Sequence, residues 1–179
     1  IADILRSVPP RVETFLLSSR VEADALIDHH RTCPATTLQL VDHVPYAELY
    51  RLREALPKVR LVQVIHVQDE GSVEEALRVA PLVDMILLDS GKPDADFRTL
   101  GGTGDTHDWQ LSLEIRRRIG IPMFLAGGLE PANVAGAIQL VQPFGVDLCS
   151  RIRDAEGRLL PDRLREFMRA VRGDRSCGS

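Results

Sequence analysis

The 179-residue sequence predicts an α/β fold with a parallel sheet of about six β/α units. Short apolar runs alternate with longer runs whose apolar residues recur at helical spacing. No two strand-like runs are joined by a hairpin turn, so neighbouring strands need helical crossovers and run parallel. A doubly wound open sheet and a β/α barrel both satisfy this pattern. A closed barrel has eight units and typically about 250 residues, so six units are two too few for closure.

The six predicted strands are short and mostly apolar, as expected of strands buried in a parallel sheet. In chain order they cover residues 12–19, 36–41, 61–67, 84–89, 122–125 and 146–150.

Each predicted strand is followed by a predicted helix, and these helices cover residues 22–32, 46–56, 72–83, 109–119, 131–141 and 160–171. Ser72 is the expected N-cap of the third of them, because Glu75 three residues later completes a capping box. Pro131 is expected in the first turn of the fifth. The longest loop, from residue 90 to about 106, follows the fourth strand, and loops of this length are usually functional or disordered.

Composition narrows the classes of partner. Hydrophobic residues make up 44% of the chain and charged residues 27%, and no apolar run approaches the roughly 20 residues that cross a bilayer, so we expect no membrane partner. The net charge of -4 argues against a nucleic-acid partner, and the basic run 116–118 is expected to be a solvated helix face. The amino terminus has no secretory signal pattern. The chain begins at Ile1, which suggests a processed product or part of a longer protein.

The cysteine pattern predicts neither a disulfide framework nor a metal site. The three cysteines, Cys33, Cys149 and Cys177, are odd in number and widely spaced, which fits a reducing cytoplasm. His29 and His30 lie near Cys33 in a predicted outer helix, but no carboxylate at ligand spacing accompanies them. All three are expected to be surface residues, and no metal is expected.

Two glycine-rich stretches stand where strand-like runs give way to helix-like runs. They are Gly101-Gly102-Thr103-Gly104 and Ala126-Gly127-Gly128. Glycine permits positive φ and close approach of backbone N–H groups to a ligand, and helix starts favour anions, so such turns suit a phosphate. Neither stretch is a P-loop or a dinucleotide fingerprint. Tight turns without a ligand explain both equally well.

Four ordered motifs resemble those of the phosphoribosylanthranilate isomerase family. The resemblance is close from residue 84 to 150 and weaker from 12 to 67, where Leu38-Gln39-Leu40 matches part of a further motif. The four motifs are Leu87-Leu88-Asp89-Ser90, Gly101-Gly102-Thr103-Gly104 leading to Asp108-Trp109, Leu125-Ala126-Gly127-Gly128-Leu129-Glu130-Pro131-Ala132-Asn133-Val134, and Pro143-Phe144-Gly145-Val146-Asp147.

The resemblance implies a (β/α)8 TIM barrel that performs an Amadori rearrangement in tryptophan biosynthesis, without a cofactor. In that fold, residues 1–179 form one incomplete barrel domain of about six units, lacking the family's first strand, first helix and second strand. Residues 12–19 then match the third strand, and residues 1–7 resemble the second helix.

Asp89 falls on the family's general-acid position. A carboxyl at the carboxyl end of a barrel strand lies on the catalytic face, and burial against Ile86 and Leu88 is expected to raise its pKa so that it holds a proton. From the residues alone, a carboxylate that caps the following loop is the competing interpretation.

The remaining matched residues are implied to bind substrate, mainly through its phosphate. Asp147 matches a substrate-contacting position, although a hydrogen-bonded carboxylate at a strand end is nearly as good an interpretation. The full set is Gly102, Thr103, Gly104, Gly127, Gly128, Asp147, Ser150 and Arg151.

Several positions depart from the family pattern. The Lys-Ile-Cys-Gly motif that carries the general base, and the arginine that receives the anthranilate carboxylate, have no match in these 179 residues. A lysine of the family becomes Asp105, which weakens phosphate binding, and a glycine becomes Arg151, which either grips phosphate or blocks the turn. The motif Gln-Leu-His-Gly becomes Gln39-Leu40-Val41-Asp42. Cys149 is a poor substitute base because it lies on the phosphate side.

Three functions stay open. The protein is an isomerase whose base lies in residues not included here, a diverged homologue that binds a phosphorylated sugar without converting it, or a related phosphosugar enzyme with another substrate. In each the ligand is a phosphorylated sugar and the protein a cytoplasmic monomer or homodimer. Loss of two barrel strands would leave open sheet edges at residues 12–19 and 146–150, an aggregation hazard.

Overall fold

The computed structural model describes residues 1–89 and 109–173, which contain six strands and seven helices. The strands are β1 (Phe15–Ser18), β2 (Thr37–Leu40), β3 (Arg60–His66), β4 (Met85–Asp89), β5 (Met123–Leu125) and β6 (Gly145–Val146). The helices are α1 (Ala2–Ser7), α2 (Ala23–Thr32), α3 (Tyr46–Ala55), α4 (Glu70–Val79), α5 (Trp109–Arg118), α6 (Val134–Val141) and α7 (Pro161–Arg172). Two 3-10 turns, Ala80–Leu82 and Ser150–Ile152, complete the regular structure of the described ranges.

The strands form one sheet in the order of the sequence, and every neighbouring pair is parallel. A doubly wound sheet reverses direction once and places its first strand in the middle. This sheet winds in one direction only, which is the strand order of a β/α barrel. Of the two architectures that satisfy the sequence pattern, the structure therefore has the barrel type.

The two faces of the sheet differ in what covers them. Strand residues such as Leu61, Ile86 and Leu125 pack with the helices in one large apolar core. The alternate residues, including Val64 and Leu87, form a second and smaller apolar cluster on the opposite face. Because successive side chains on a strand point to opposite faces, the first set is the outer face under the helices and the second is the inner face of a partial barrel.

The sheet is strongly curved. Strands β1 and β5 are four positions apart, which would separate them by about 19 Å in a flat sheet. The rings of Phe15 on β1 and Phe124 on β5 nevertheless lie 6.0 Å apart, and Phe124 lies 5.5 Å from the ring of Phe144, both pairs meeting edge to face. Gly145 leaves the space for this packing, since a Cβ there would lie 2.7 Å from the Phe124 ring.

The described part of the sheet has two open edges, as the sequence predicts. Strand β1 pairs only with β2, and β6 pairs only with β5. On β1 the outward Leu16 is buried, whereas the inward Leu17 is 56% exposed. The inner face is thus covered around β3 and β4 and open beside β1.

The start of α4 corrects one prediction. Asp69, not Ser72, is the N-cap, and its side chain accepts a hydrogen bond from the Gly71 N–H. Ser72 lies inside the first turn, where its hydroxyl accepts from the Gln68 N–H and donates to the His66 carbonyl. Aspartate is as good a cap as serine, and the capping-box pattern alone did not separate them.

The last two units differ in their bounds from the sequence prediction. Helix α6 begins at Val134, because Asn133 is its N-cap, and Pro131 therefore precedes the helix instead of starting it. Strand β6 has only two residues, and the predicted strand over 146–150 gives way to the 3-10 turn at Ser150. The existence and order of the units are as predicted.

Helix α2 corrects the expected exposure of its histidines and cysteine. Cys33 is buried in the core. His29 bonds Ser18 Oγ through Nδ1 at 3.1 Å, and His30 bonds the Ala35 carbonyl through Nε2 at 2.9 Å. Burial, with Arg20 nearby, lowers the pKa of His29. These side chains hold the helix to the sheet. None of the helices in the described ranges has the length and apolarity to span a bilayer.

Candidate active site

Asp89 is the last residue of β4 and belongs to the inner face. Two residues earlier, Leu87 lies in the inner apolar cluster, while Ile86 and Leu88 lie in the outer core, so strand alternation directs Asp89 inward. The residue is half-buried. Its Oδ1 is fully buried and has no hydrogen-bond partner among the described residues. A buried carboxyl oxygen without a partner costs about 1 to 3 kcal/mol, which stability alone does not explain.

Asp147 lies two strands away at the same end of the sheet. It directly follows β6, and its backbone N–H donates to the Leu125 carbonyl at 2.9 Å. Although solvent reaches its side chain, desolvation by the surrounding protein raises the pKa of Asp147, and the negative charge of Asp89 raises it further; the Leu148 backbone N–H has the opposite effect. The two carboxyl groups are therefore close enough for the charge of Asp89 to act on Asp147.

A glycine turn lies between them, at the carboxyl end of β5. Gly127 and Gly128 are consecutive and both have positive φ, at 78° and 61°. Asn133 fixes the turn, because its side chain accepts from the Glu130 N–H and donates to the Gly128 carbonyl, both at 2.9 Å. The turn leads into α6, whose first-turn N–H groups carry partial positive charge. This is the backbone arrangement that suits a phosphate.

Arg151 lies in the 3-10 turn that follows β6. Its Nε is buried without a hydrogen-bond partner in the described ranges, and its side chain lines a cavity of about 370 Å³ together with Glu130, Arg163 and Glu166. The carboxylates offset the two guanidinium groups in this cavity. Ser150 starts the adjoining 3-10 turn, and Cys149 before it is exposed.

The other glycine cluster, with Gly102, Thr103, Gly104 and the departure at Asp105, lies outside the described residues. The structure thus brings together Asp89, Asp147 and the turn at Gly127 and Gly128.

The sequence interpretation missed His66. This residue ends β3 and is paired in register with Asp89, and its Nδ1 is buried without a partner in the described ranges. It also lines a cavity of about 270 Å³ with Asp42, His43 and Glu75. The signal was present, because His66 continues the inward alternation of Val62 and Val64 to the strand's carboxyl end.

The groups at the carboxyl end of the sheet are suited to transfer protons next to a bound anion. Two carboxyl groups lie at this end, one with a buried oxygen that has no partner in the described ranges and one whose pKa is raised by desolvation. A turn of positive-φ glycines can hold a phosphate through backbone N–H groups, without a charged side chain. Within the described ranges, no group of three or more histidine, cysteine, aspartate or glutamate side chains is arranged to hold a metal ion.

Comparison with protein families gives one result that covers most of the chain. The family model described as N-(5'-phosphoribosyl)anthranilate (PRA) isomerase matches residues 46–170. This range includes β3 to β6 and both carboxyl groups of the site.

Individual relatives agree with the family model. The N-(5'-phosphoribosyl)anthranilate isomerase of Methanocella arvoryzae is 38% identical over 173 residues, which cover 96% of this chain and 78% of the relative. The phosphoribosylanthranilate isomerase of Thermotoga maritima superposes with a TM-score of 0.81 at 27% identity, covering 96% of this chain and 78% of that one. Another solved isomerase, in complex with reduced 1-(o-carboxyphenylamino)-1-deoxyribulose 5-phosphate, superposes with a TM-score of 0.77 at 26% identity and covers 96% and 77%.

Proposed function

Because the chain belongs to the phosphoribosylanthranilate isomerase family, we propose that it converts N-(5'-phosphoribosyl)anthranilate to the corresponding aminoketose phosphate in tryptophan biosynthesis. In this reaction an acid protonates the ribose ring oxygen and opens the ring, and a base removes the proton from the adjacent carbon. We assign the acid to Asp89 and the phosphate to the turn at Gly127 and Gly128.

One observation carries the assignment. Asp89 directs its carboxyl into the partial barrel at the strand end, with one buried oxygen unpaired among the described residues. In β/α barrels this end of the sheet is where catalytic groups lie. The glycine turn follows β5, the strand next to β4, which supports a site in which the phosphate lies at the turn and the sugar ring lies near Asp89. Asp147, on the far side of that turn, is in position to contact the substrate's polar groups.

The base must come from elsewhere. The family motif that carries it, Lys-Ile-Cys-Gly, is not among these 179 residues, so the proposed reaction requires a base beyond them. We infer that residues 1–179 form one β/α-barrel domain whose open edges at β1 and β6 pair with the family's first two strands. The protein is then a cytoplasmic monomer or homodimer.

The proposed ligand is a phosphorylated sugar. A solved relative holds a reduced aminoketose phosphate. In the proposed site the backbone N–H groups of Gly127 and Gly128 bind such a phosphate without a cofactor or metal. Arg151 stays a candidate second phosphate contact, since its Nε lacks a partner in the described ranges.

Complementation tests the function. We expect the protein to restore growth of a tryptophan auxotroph that lacks this isomerase, and Asp89→Asn to fail while accumulating to the same level. Asp84→Asn, immediately before the other end of the same strand, is the matched control and should support growth. Growth with Asp89→Asn would refute the acid role.

A second measurement separates catalysis from binding alone. If the native chain fails to support growth but binds ribose 5-phosphate in calorimetry, and Gly128→Ala weakens that binding, the protein is a diverged homologue that holds the sugar phosphate. The departure at Arg151, where the family pattern has a glycine, is the observation that favours this second function. Failure of both assays would overturn both functions.

A further inference from the structure

His66 and Asp89 occupy equivalent places on adjacent strands. They are partners in the parallel register of β3 and β4, and each is the last residue of its strand. Neighbouring strands lie about 4.8 Å apart, and both side chains continue the inward alternation of the apolar cluster below them. An imidazole and a carboxyl group are therefore side by side at the carboxyl end of the sheet.

A hydrogen bond fixes the tautomer of His66. Its Nε2 lies 3.3 Å from the Val41 carbonyl oxygen at the end of the neighbouring strand β2. A carbonyl oxygen only accepts, so Nε2 carries a proton. In the neutral ring Nδ1 is then an acceptor, and its lone pair lies in the plane of the ring on the side away from Val41.

Each of the two residues has one buried atom without a partner in the described ranges. These atoms are Nδ1 of His66 and Oδ1 of Asp89. Buried polar atoms almost always find partners, directly or through one water, because leaving one unpaired is costly. Two such atoms on register-paired residues are the natural partners of one bridging water.

We propose that His66 is the positioning residue of Asp89, through one water that bridges Nδ1 and Oδ1. This bridge fixes Oδ1 and leaves Oδ2 to meet the substrate. The inference rests on the proposed function for its kinetic consequence, but the contact itself does not.

Two substitutions separate the functional nitrogen from the structural one. Asparagine at position 66 keeps a polar atom near the place of Nδ1, while glutamine keeps one near the place of Nε2 and can still bond Val41. We expect His66→Gln to lower kcat about ten- to a hundredfold with KM changed less than about twofold, since misplacement of a catalytic group by about 1 Å has such an effect. His66→Asn should keep most of kcat.

The opposite order of the two variants would overturn the proposal, because it would mean that His66 acts only by holding Val41. Equal loss in both would also overturn it, provided thermal unfolding shows that both are folded.

A spectroscopic measurement stands apart from activity and from the folding of the His66 variants. In the ¹⁵N spectrum of the protein we expect Asp89→Ala to move the His66 Nδ1 resonance while the Nε2–H resonance stays in place. Asp42→Ala is the control, because Asp42 lines a cavity with His66 and follows Val41, whose carbonyl bonds Nε2, so its loss should leave Nδ1 unmoved. If the Nδ1 resonance does not move in Asp89→Ala, the proposal is overturned even if the protein is an active isomerase. A shift in a protein without turnover would support the contact and count against the proposed function alone.

Discussion

The two ends of the sheet differ in how their carboxyl groups are hydrogen-bonded, and strand β4 shows the difference. Asp84 immediately precedes this strand, and Asp89 is its last residue. At the amino end, Asp84 Oδ2 accepts from the Arg53 guanidinium at 2.9 Å and from the Leu61 N–H at 2.7 Å. At the carboxyl end, five residues later, Asp89 has a buried oxygen with no partner in the described ranges. The satisfied carboxylate joins helix, sheet and loop. The unsatisfied one is kept available, which is the division between stability and chemistry expected of β/α barrels.

The same contrast extends to neighbouring strands. At the amino ends of β1 and β2, Thr14 and Thr36 exchange hydrogen bonds between backbone and hydroxyl groups, and Arg60 pairs with Glu13, whose pKa it lowers. At the carboxyl ends, His66 has an unpaired nitrogen in the described ranges, and burial raises the pKa of Asp147. Polar groups at the amino ends of the strands stabilise the fold. Those at the carboxyl ends are unpaired or desolvated, which lowers the free energy of unfolding.

The largest expected effect is on catalysis at the carboxyl end. Asp89→Asn should lower kcat/KM for phosphoribosylanthranilate about 10²- to 10⁴-fold, the usual contribution of a general acid. Its unfolding free energy should stay the same or rise, because an amide is cheaper to leave unpaired than a carboxylate. Steady-state kinetics and urea denaturation measure both. A large loss of stability would place Asp89 in the same class as Asp84 and break the comparison.

The converse substitution is at the amino end. Asp84→Ala leaves the Arg53 guanidinium and the Leu61 N–H without their acceptor, and should lower the unfolding free energy by about 1 to 3 kcal/mol. Per folded molecule, activity should stay unchanged, as judged by active-site titration. A selective loss of kcat in folded protein would contradict this.

A smaller effect is expected from the glycine turn. Gly128→Ala forces alanine to a φ of 61° and should cost about 1 kcal/mol of stability. It should also weaken ribose 5-phosphate binding about tenfold, since a methyl group crowds the backbone donors. Gly157→Ala is the matched control, because Gly157 has a φ of 79° outside the proposed site. Calorimetry that shows the same affinity loss in both variants would remove the turn from the phosphate site.

The smallest expected effect concerns the pH dependence of stability. Unfolded, Asp147 titrates near its ordinary value of 3.8, whereas burial raises its pKa in the folded state. As pH rises above 3.8 the unfolded chain loses this proton first, so the folded state becomes less stable until its own carboxyl ionises. Asp147→Asn should therefore raise the unfolding free energy at pH 7, and the gain should vanish below pH 3.8.

Asp154 supplies a control of opposite sign for this measurement. Its hydrogen bonds to Arg158 lower its pKa, so its contribution to stability is present above 3.8 and is lost as pH falls through the lower folded value. Asp154→Asn should be less stable than the native protein at pH 7. Urea denaturation of both variants across pH checks the two signs, and equal signs would refute the assignment.

Much of the fold was predictable because apolar runs in a parallel sheet are continuous and their connections short. Strands such as Arg60–His66 and Met85–Asp89 fall within one residue of the predicted bounds. The choice between two neighbouring N-cap candidates for α4 was less certain. Asp69 and Ser72 both satisfy the chemistry of an N-cap. The structure decides between them, because the Ser72 hydroxyl is bonded to the backbone of Gln68 and His66, at the end of the preceding strand and the loop after it.

The candidate site was predictable where a residue has a motif around it, as Asp89 and Gly127 do. For His66 the strand alternation predicts an inward side chain, but no motif around the residue marks it as functional. Its significance comes from register, which pairs it with a carboxyl group 23 positions later. The burial of Cys33 was not predictable either, because tertiary packing decides which face of a short helix meets the sheet.

Gly145 sets the width of the interior. The Phe124 ring occupies the volume that any larger side chain at position 145 would need. The same ring packs against Phe15 on β1, so it links β5 to the first strand. A single added methyl group would thus push apart two strands separated by more than one hundred positions. The distance between these two strands on the inner face therefore depends on the absence of a side chain at position 145.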